Sequence, residues 1–202
     1  MIIIGLTGGI ASGKSTVSAY LKQNNIPVID CDEESRHVLD KGTNGYKLAL
    51  ELFSEDILDE NKNINRKKVA SIVFEDKSLL QKLNSIIHPE VINKTHELLA
   101  KYESEGFDIA VIDAPLLIEA GMHKLCNELW VVYTSPDVQI KRAMARDGAT
   151  YEQVAQRIKN QSSIEEKKKL ADRLISNDGT HDELYSAIDK ILNEIKRKNN
   201  NG

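Results

Sequence analysis

The chain has 202 residues, of which 41% are hydrophobic and 29% are charged. This composition is typical of one globular domain, with or without a helical insertion, and excludes a disordered chain. Acidic residues outnumber basic ones by 31 to 27, which gives a net charge of −4, so we expect no nucleic-acid partner. No apolar run approaches the roughly 18 residues of a membrane span, so we expect no membrane association.

The two cysteines, Cys31 and Cys126, are far apart in the sequence. This spacing excludes a disulfide scaffold and a zinc site built from cysteines, and two unpaired thiols are typical of a reducing compartment. The first residues, Met1 to Gly5, lack the positive region of a signal peptide. We therefore expect a cytoplasmic protein.

Short apolar segments alternate with helical patterns along the chain. We expect buried strands at residues 2–7, 27–30, 107–113, 128–134 and, more weakly, 173–176. A helix is predicted over residues 17–23, and the chain after Pro136 has helical patterning almost throughout. Strands that alternate with helices predict an α/β fold, with a parallel sheet of about five strands flanked by helices.

The interval between the second and third predicted strands, residues 31–105, is much longer than a crossover connection needs. Helical patterns occur at residues 47–53, 67–74, 77–87 and 90–102, and the stretch 58–65 has the composition of a turn. The pair His88-Pro89 predicts a boundary between two helices, because the residue before a proline is biased away from helical geometry. We interpret this interval as a helical insertion that binds a substrate.

A complete GxxxxGK[ST] motif follows the first predicted strand. It consists of Gly8, Gly9, Ile10, Ala11, Ser12, Gly13, Lys14 and Ser15, and Thr16 comes next. Glycines let the backbone approach phosphate closely, and the following helix adds the positive end of its dipole. Lys14 can neutralise the β- and γ-phosphates, and the Ser15 hydroxyl can ligate Mg²⁺. The motif predicts a nucleoside-triphosphate site and disfavours a glycine-rich turn that arose by chance.

The class of triphosphate-binding protein is narrowed by motifs that the sequence lacks. A GTPase would carry Asn-Lys-x-Asp after a late strand and an Asp-x-x-Gly switch, but Asp113 is followed by Ala114, Pro115 and Leu116. The glycine-rich loop of adenylate-kinase-like proteins, Gly-x-Pro-Gly-x-Gly-Lys-Gly, is also absent. The size of the chain and its helical insertion favour a small-molecule kinase.

Three carboxylates follow predicted strands, at the edge where an open parallel sheet binds its ligands. They are Asp30, Asp32 and Asp113, the last in a Walker-B-like position. If the chain stays extended through Cys31, Asp30 and Asp32 project to the same side. One of them could then accept or orient a hydroxyl proton while another holds the hydrated metal. The alternative is that Asp30 or Asp32 caps a helix that begins near Glu33.

Two arginines, Arg142 and Arg146, lie four residues apart on the predicted helix after Pro136 and therefore share a face. In a lid over the triphosphate they would stabilise charge on the transferred phosphoryl group, whereas the alternative is a solvated basic face. Lys167, Lys168 and Lys169 follow Glu165 and Glu166. We expect these lysines to be exposed and assign them no function.

With these residues in view, the chain resembles the dephospho-coenzyme A kinase family over nearly its whole length. The resemblance rests on several motifs together: residues 6–16, 28–32, 86–89, 113–119, 142–147, 157–161 and 171–179. Cys31 stands where the family usually has alanine, a small-for-small change that we expect to be tolerated. In the motif after the turn of the insertion, only Arg66 matches.

The resemblance implies a P-loop NTPase-type core at residues 1–30 and 106–202, with a lid near 136–160, and a substrate-binding insertion at 31–105. Together they form one kinase domain over 1–202. ATP and Mg²⁺ would bind the phosphate loop, and Asn177 would lie near the adenine. The residues implied in catalysis are Lys14, Asp32, Arg142 and Arg146, and those implied in acceptor binding are Asp32, Arg66, His88, Pro115 and Leu116.

The implied reaction is the final step of coenzyme A synthesis. ATP phosphorylates the ribose 3′-hydroxyl of dephospho-coenzyme A, with Asp32 as the base, to give coenzyme A and ADP. Another P-loop nucleoside or nucleotide kinase is the alternative enzyme. A regulatory module that holds ATP without transferring phosphate is the alternative of a different class. The sequence assigns no oligomeric state.

Overall fold

The computed structural model describes residues 1–159 and 164–200. Five strands in these residues form one sheet in the order β2-β3-β1-β4-β5. They are β1 (Ile2–Gly8), β2 (Val28–Asp30), β3 (Ile109–Asp113), β4 (Glu128–Tyr133) and β5 (Arg173–Ser176). The pairs β1–β3, β1–β4 and β4–β5 are parallel, and the predicted five-stranded α/β sheet is confirmed.

Nine α-helices lie within the same described residues. They are α1 (Lys14–Gln23), α2 (Cys31–His37), α3 (Asn44–Phe53), α4 (Arg66–Glu75), α5 (Lys77–Ser104), α6 (Pro136–Asp147), α7 (Tyr151–Lys159), α8 (Ile164–Leu170) and α9 (His181–Asn200). None of the helices in the described part of the chain is both long enough and apolar enough to cross a bilayer. Asn160 and Gln161, together with the end of the predicted lid at residue 160, lie outside the described residues.

The chain divides into two units, one of Met1–Val28 with Gly106–Gly202 and one of Ile29–Glu105. In the first unit, β1 lies between β3 and β4 and is buried from Ile4 to Gly8, which explains its nearly continuous apolar sequence. Leu6, Val111 and Trp130 form a core with apolar side chains of α1 and α9, such as Leu21 and Ile188. This core fixes the β1–α1 junction, where the glycine-rich motif lies.

The second unit contains α2 to α5, and α5 differs from the prediction. We predicted a boundary between two helices at His88-Pro89, but α5 runs without a break from Lys77 to Ser104 with Pro89 inside it. A proline in a helix interior costs about 3 kcal/mol, because one backbone hydrogen bond is lost and the ring clashes with the preceding turn. Both halves of α5 carry buried side chains, Leu83 before Pro89 and Val91 and Leu99 after it, and packing against α2, α3 and α4 offsets this cost.

Candidate active site

The glycine-rich motif forms the loop between β1 and α1. Gly13 has a φ of 91° and Ala11 a φ of 53°, and left-handed residues of this kind build concave nests of backbone N–H groups that bind anions. A Cβ atom at Gly8 would lie 2.6 Å from the carbonyl oxygen of Val132, so only glycine fits there. The local backbone therefore has the form that a phosphate-binding loop requires.

Helix α1 begins directly after this loop. Gly13 is its N-cap, and no side chain in the described residues caps the helix start. The carbonyl oxygen of Gly13 accepts hydrogen bonds from the backbone N–H groups of Thr16 and Val17, at 2.9 and 3.2 Å. The start of α1 thus keeps its positive dipole end for an anion.

The lysine of the motif is held by a buried carboxylate. Lys14 Nζ donates to one carboxylate oxygen of Asp113, and Ser18 Oγ donates to the other. The Asp113 side chain is 4% exposed and that of Lys14 is 19% exposed. Two donors, one of them cationic, compensate the burial of this carboxylate. The structure thus places the predicted Asp113 beside the motif lysine.

Asn177 connects the loop to α6. Its side chain is buried and donates from Nδ2 to the carbonyl oxygen of Ser12 at 2.8 Å. Its own carbonyl oxygen accepts from Arg142 Nη1 at 2.9 Å. Asn177 Oδ1 and Ser12 Oγ are both buried and have no hydrogen-bond partner among the described residues. Unpaired buried polar atoms of this kind are rare, and these two belong to the loop itself and to the residue that is hydrogen-bonded to it.

The residue after Asn177 is an acid with several donors around it. Asp178 Oδ1 accepts from the backbone N–H of Ser135 at 2.7 Å and from Thr134 Oγ1 at 2.6 Å. The Ser135 N–H and then the Thr134 hydroxyl lower the pKa of Asp178 from 3.8 to about 2. Asp178 therefore ties the start of α6 to the loop after β5.

This contact predicts a pH dependence of stability. The folded-state pKa of Asp178 is depressed, so its contribution is fully present above pH 3.8 and is lost as the pH falls toward about 2. We expect the free energy of unfolding of Asp178→Asn to fall less steeply than that of the wild type over this range, as measured by urea denaturation. Asp108→Asn, at an exposed aspartate, is the control for the removal of one carboxylate charge. Equal slopes in Asp178→Asn and the wild type would contradict the assignment.

The two predicted lid arginines have different partners. Arg142 contacts Asn177, as described above, whereas Arg146 Nε donates to Asp147 at 2.8 Å. Arg157 Nη1, on α7, donates to the same carboxylate at 2.9 Å. The hydrogen bond to Asp147 raises the pKa of Arg146, and the hydrogen bond from Arg146 lowers the pKa of Asp147. Asp147 thus holds two exposed arginines.

In the second unit, the predicted geometry of Asp30 and Asp32 is wrong in one respect. The chain does not stay extended through Cys31, because α2 begins at that residue. Asp30 caps the helix and accepts from the N–H groups of Asp32 and Glu33, at 3.0 and 3.1 Å. The capping role that the sequence left open is therefore the one that Asp30 performs. Asp32 lies in the first turn of α2.

The predicted acceptor contacts are distributed over both units. In the second unit, Arg66 Nη2 donates to the carbonyl oxygen of Arg36 at 2.6 Å and to Asp40 at 3.1 Å, while His88 is exposed on α5. In the first unit, Pro115 is partly buried and Leu116 is exposed, both on the loop that follows β3. Each unit therefore presents part of the predicted set.

The sequence analysis missed one residue of the first unit, Lys167. The expectation that the lysines of α8 are exposed is wrong for Lys167, which is 1% exposed. Its Nζ donates to the carbonyl oxygen of Pro115 at 2.7 Å and lies 3.2 Å from Glu119 Oε1. The spacing from Ile164 could have indicated it, because residues three apart share a helix face. Lys168, by contrast, pairs with Glu165 at 2.9 Å.

Comparison with known proteins identifies relatives over nearly the full chain. The family model CoaE, described as dephospho-CoA kinase, matches residues 2–183. The dephospho-CoA kinase of Lactobacillus johnsonii is 41% identical over 194 residues, which are 96% of this chain and 98% of that protein. The Carboxydothermus hydrogenoformans dephospho-CoA kinase is 43% identical over 196 residues, or 97% and 95% of the two chains. The solved structure of the Campylobacter jejuni dephospho-CoA kinase has a TM-score of 0.75 at 28% identity, covering 98% of each chain.

These matches confirm the family resemblance, the enzyme class and the function that the sequence predicts. They do not favour another nucleoside or nucleotide kinase. The structural match is also consistent with the observed five-stranded sheet and its helices. The chain belongs to the dephospho-CoA kinase family.

Proposed function

We propose that this chain transfers the γ-phosphoryl group of ATP to the ribose 3′-hydroxyl of dephospho-CoA, giving coenzyme A and ADP. The family membership supports both substrates. The observation that carries the proposal is the complete phosphate loop whose lysine, Lys14, is held by the buried Asp113. Neither Cys31 nor Cys126 forms a disulfide, which supports the proposed location in the reducing cytoplasm.

In this mechanism the loop binds the phosphates of ATP through its backbone. The contributing residues are Gly8, Gly9, Ala11, Ser12, Gly13, Lys14, Ser15 and Thr16. Lys14 neutralises charge on the β- and γ-phosphates, where catalysis of phosphoryl transfer is largely positioning and electrostatic stabilisation. The unpaired Ser12 Oγ and Asn177 Oδ1 support nucleotide binding at this end of the loop, with Asn177 on the adenine side.

Mg²⁺ would be held by the Ser15 hydroxyl. No three His, Cys, Asp or Glu side chains converge on a metal position within residues 1–159 and 164–200. That fits Mg²⁺, which keeps several waters and takes phosphate oxygens with only one or two protein ligands. Ser15 is exposed in the first turn of α1 and offers the oxygen that such a site needs. When bound, the ion neutralises charge on the transferred phosphoryl group.

On the acceptor side, Asp32 orients the 3′-hydroxyl and accepts its proton as transfer proceeds. Its place in the first turn of α2 supports this role, because that turn is positioned by the Asp30 cap. Arg66 and His88 of the insertion, and Pro115 and Leu116 of the core, complete the proposed acceptor contacts. The insertion at 31–105 thus acts as the substrate-binding part of one kinase domain.

The helices near 136–160 act as the lid, with Arg142 and Arg146 stabilising charge on the transferred group. The hydrogen bond from Arg142 to the Asn177 carbonyl supports a place beside the nucleotide. Arg146 is paired with Asp147, so it would exchange that partner for phosphate as the lid closes. A lid that excludes water also suppresses hydrolysis of ATP.

The test is ADP release by the purified chain with a panel of acceptors. We expect turnover with dephospho-CoA well above the background with ATP alone, and little with nucleoside monophosphates or nucleosides. Turnover with a nucleoside monophosphate and none with dephospho-CoA would establish the alternative kinase. ATP binding without transfer to any acceptor would establish the regulatory module.

A further inference from the structure

Among the described residues, Lys167 carries the most deeply buried cationic group. The proposed mechanism gives this group no role. The Lys167 side chain is 1% exposed, and it lies in α8 beside two lysines that are half-exposed or exposed. Burial of an ammonium group is unfavourable unless the group is paired and hydrogen-bonded. Both conditions are met here, by Glu119 Oε1 at 3.2 Å and by the Pro115 carbonyl oxygen at 2.7 Å.

The Pro115 carbonyl is the point at which three segments meet. Besides the bond from Lys167, it accepts one from Thr7 Oγ1 at 3.2 Å, and Thr7 directly precedes the glycines of the phosphate loop. The neighbouring Ala114 N–H donates to the carbonyl oxygen of Leu6 at 3.1 Å. The chain that leaves β3 is therefore fixed on one side by β1 and on the other by α8.

The segment that leaves β3 matters because it carries residues that the proposed function uses. Asp113, which holds Lys14, comes just before it, and the proposed acceptor contacts Pro115 and Leu116 lie within it. Leu116 is 52% exposed, so its place depends on how the backbone beside it is held. An apolar side chain at position 167 would fill the same face of α8 but could not donate a hydrogen bond to the Pro115 carbonyl.

We propose that Lys167 is a positioning residue for the acceptor, acting through the Pro115 carbonyl on the segment that carries Pro115 and Leu116. The inference rests on the proposed function, since it assigns this segment to dephospho-CoA. The hydrogen bond to a neutral carbonyl sets the backbone, and the ion pair with Glu119 keeps the ammonium in place. The effect falls on the acceptor more than on ATP, because Lys167 bonds directly to the acceptor segment and is connected to the phosphate loop only indirectly, through Thr7 and Asp113.

The test compares Lys167→Met with Lys169→Met, an exposed neighbour on the same helix. We expect Lys167→Met to raise KM for dephospho-CoA by about tenfold or more, since small misplacements of binding groups have large kinetic effects. The Kd for ATP, measured without acceptor, stays within about twofold of the wild type, because the phosphate loop is untouched. Lys169→Met keeps both constants, and Lys167→Arg, which retains a cationic donor, recovers part of the loss.

A lowered Tm in Lys167→Met with an unchanged KM would overturn the inference, because Lys167 would then be a structural residue only. If Lys167→Met does not fold, Glu119→Gln removes the anion beside the ammonium at constant volume and decides the matter. We expect KM for dephospho-CoA to rise in that variant, and an unchanged KM would overturn the inference. A wild-type chain without turnover on dephospho-CoA would contradict the proposed function itself, and the inference with it.

Discussion

Replacement of Lys14 by methionine is expected to lower kcat by about 10³-fold or more. Preorganised charges beside a transferring phosphoryl group are among the largest single contributions to catalysis. Methionine has a similar length but no charge, so the loop remains while its cation is lost. We also expect ATP to bind about tenfold more weakly, because Lys14 contacts the phosphates in the ground state as well as in the transition state. Both quantities follow from steady-state ADP release and a nucleotide-binding titration.

Lys22→Met is the matched control, since Lys22 is an exposed lysine in the last turn of the same helix, α1. It should keep kcat and the Kd for ATP at wild-type values. Lys14→Met also removes one of the two donors to the buried Asp113 carboxylate described above and leaves the Ser18 hydroxyl. Circular dichroism must therefore show that the variant is folded. A folded Lys14→Met variant that retains kcat within a few-fold would exclude this lysine from the mechanism.

The second large effect is expected for Asp32→Asn. Loss of a general base lowers kcat by about 10²-fold or more, and asparagine keeps the size of the side chain. The Kd for ATP should stay near the wild-type value, because Asp32 lies in α2 and not in the phosphate loop. Single-turnover measurement of coenzyme A formation separates this chemical step from product release.

Asp30→Asn distinguishes the two neighbouring carboxylates. Asparagine caps a helix about as well as aspartate does, so this variant preserves the start of α2 and removes only the charge. We expect kcat of Asp30→Asn to remain within a few-fold of the wild type. If Asp30→Asn instead shows the large loss and Asp32→Asn shows none, the roles of the two residues are reversed.

The strands and the phosphate loop could be predicted because local sequence determines them. A parallel strand that is buried on both faces has a nearly continuous apolar sequence, and β1, β3 and β4 have such sequences. The glycine-rich motif imposes its own backbone, including the positive φ of Gly13. These features depend on neighbours in the sequence, so the pattern of residues was sufficient.

Tertiary packing decided the features that the sequence analysis missed. Pro89 predicts a helix end from local sterics, but α5 has buried side chains on both sides of the proline, and its packing against α2, α3 and α4 keeps it continuous. At Asp30 the sequence left two local alternatives open, an extended chain through Cys31 and a helix cap, and the structure has the cap. At Pro89 local preference and packing disagree, and the balance between them cannot be derived from a short window of residues.

Lys167 was missed for a related reason. A run of three lysines next to two glutamates is typical of a solvated helix face. This prediction is correct for Lys169, which is exposed, whereas Lys168 pairs with Glu165 and is partly buried. The burial of Lys167 is determined by Glu119 and by the Pro115 carbonyl, about 50 residues earlier in the chain. A partner that is so far away in the sequence leaves no periodic pattern in the residues around Lys167.

The single tryptophan of the chain, Trp130, lies in β4 with its side chain fully buried and its indole N–H bonded to Glu128 at 3.1 Å. It belongs to the first unit, and the second unit, Ile29–Glu105, contains no tryptophan. Intrinsic fluorescence excited at the indole band is therefore a local optical probe of the sheet. Far-ultraviolet ellipticity is dominated by helices, including the four α-helices of the insertion. Thermal unfolding followed by both tryptophan fluorescence and ellipticity would therefore show whether the two units unfold together or in succession.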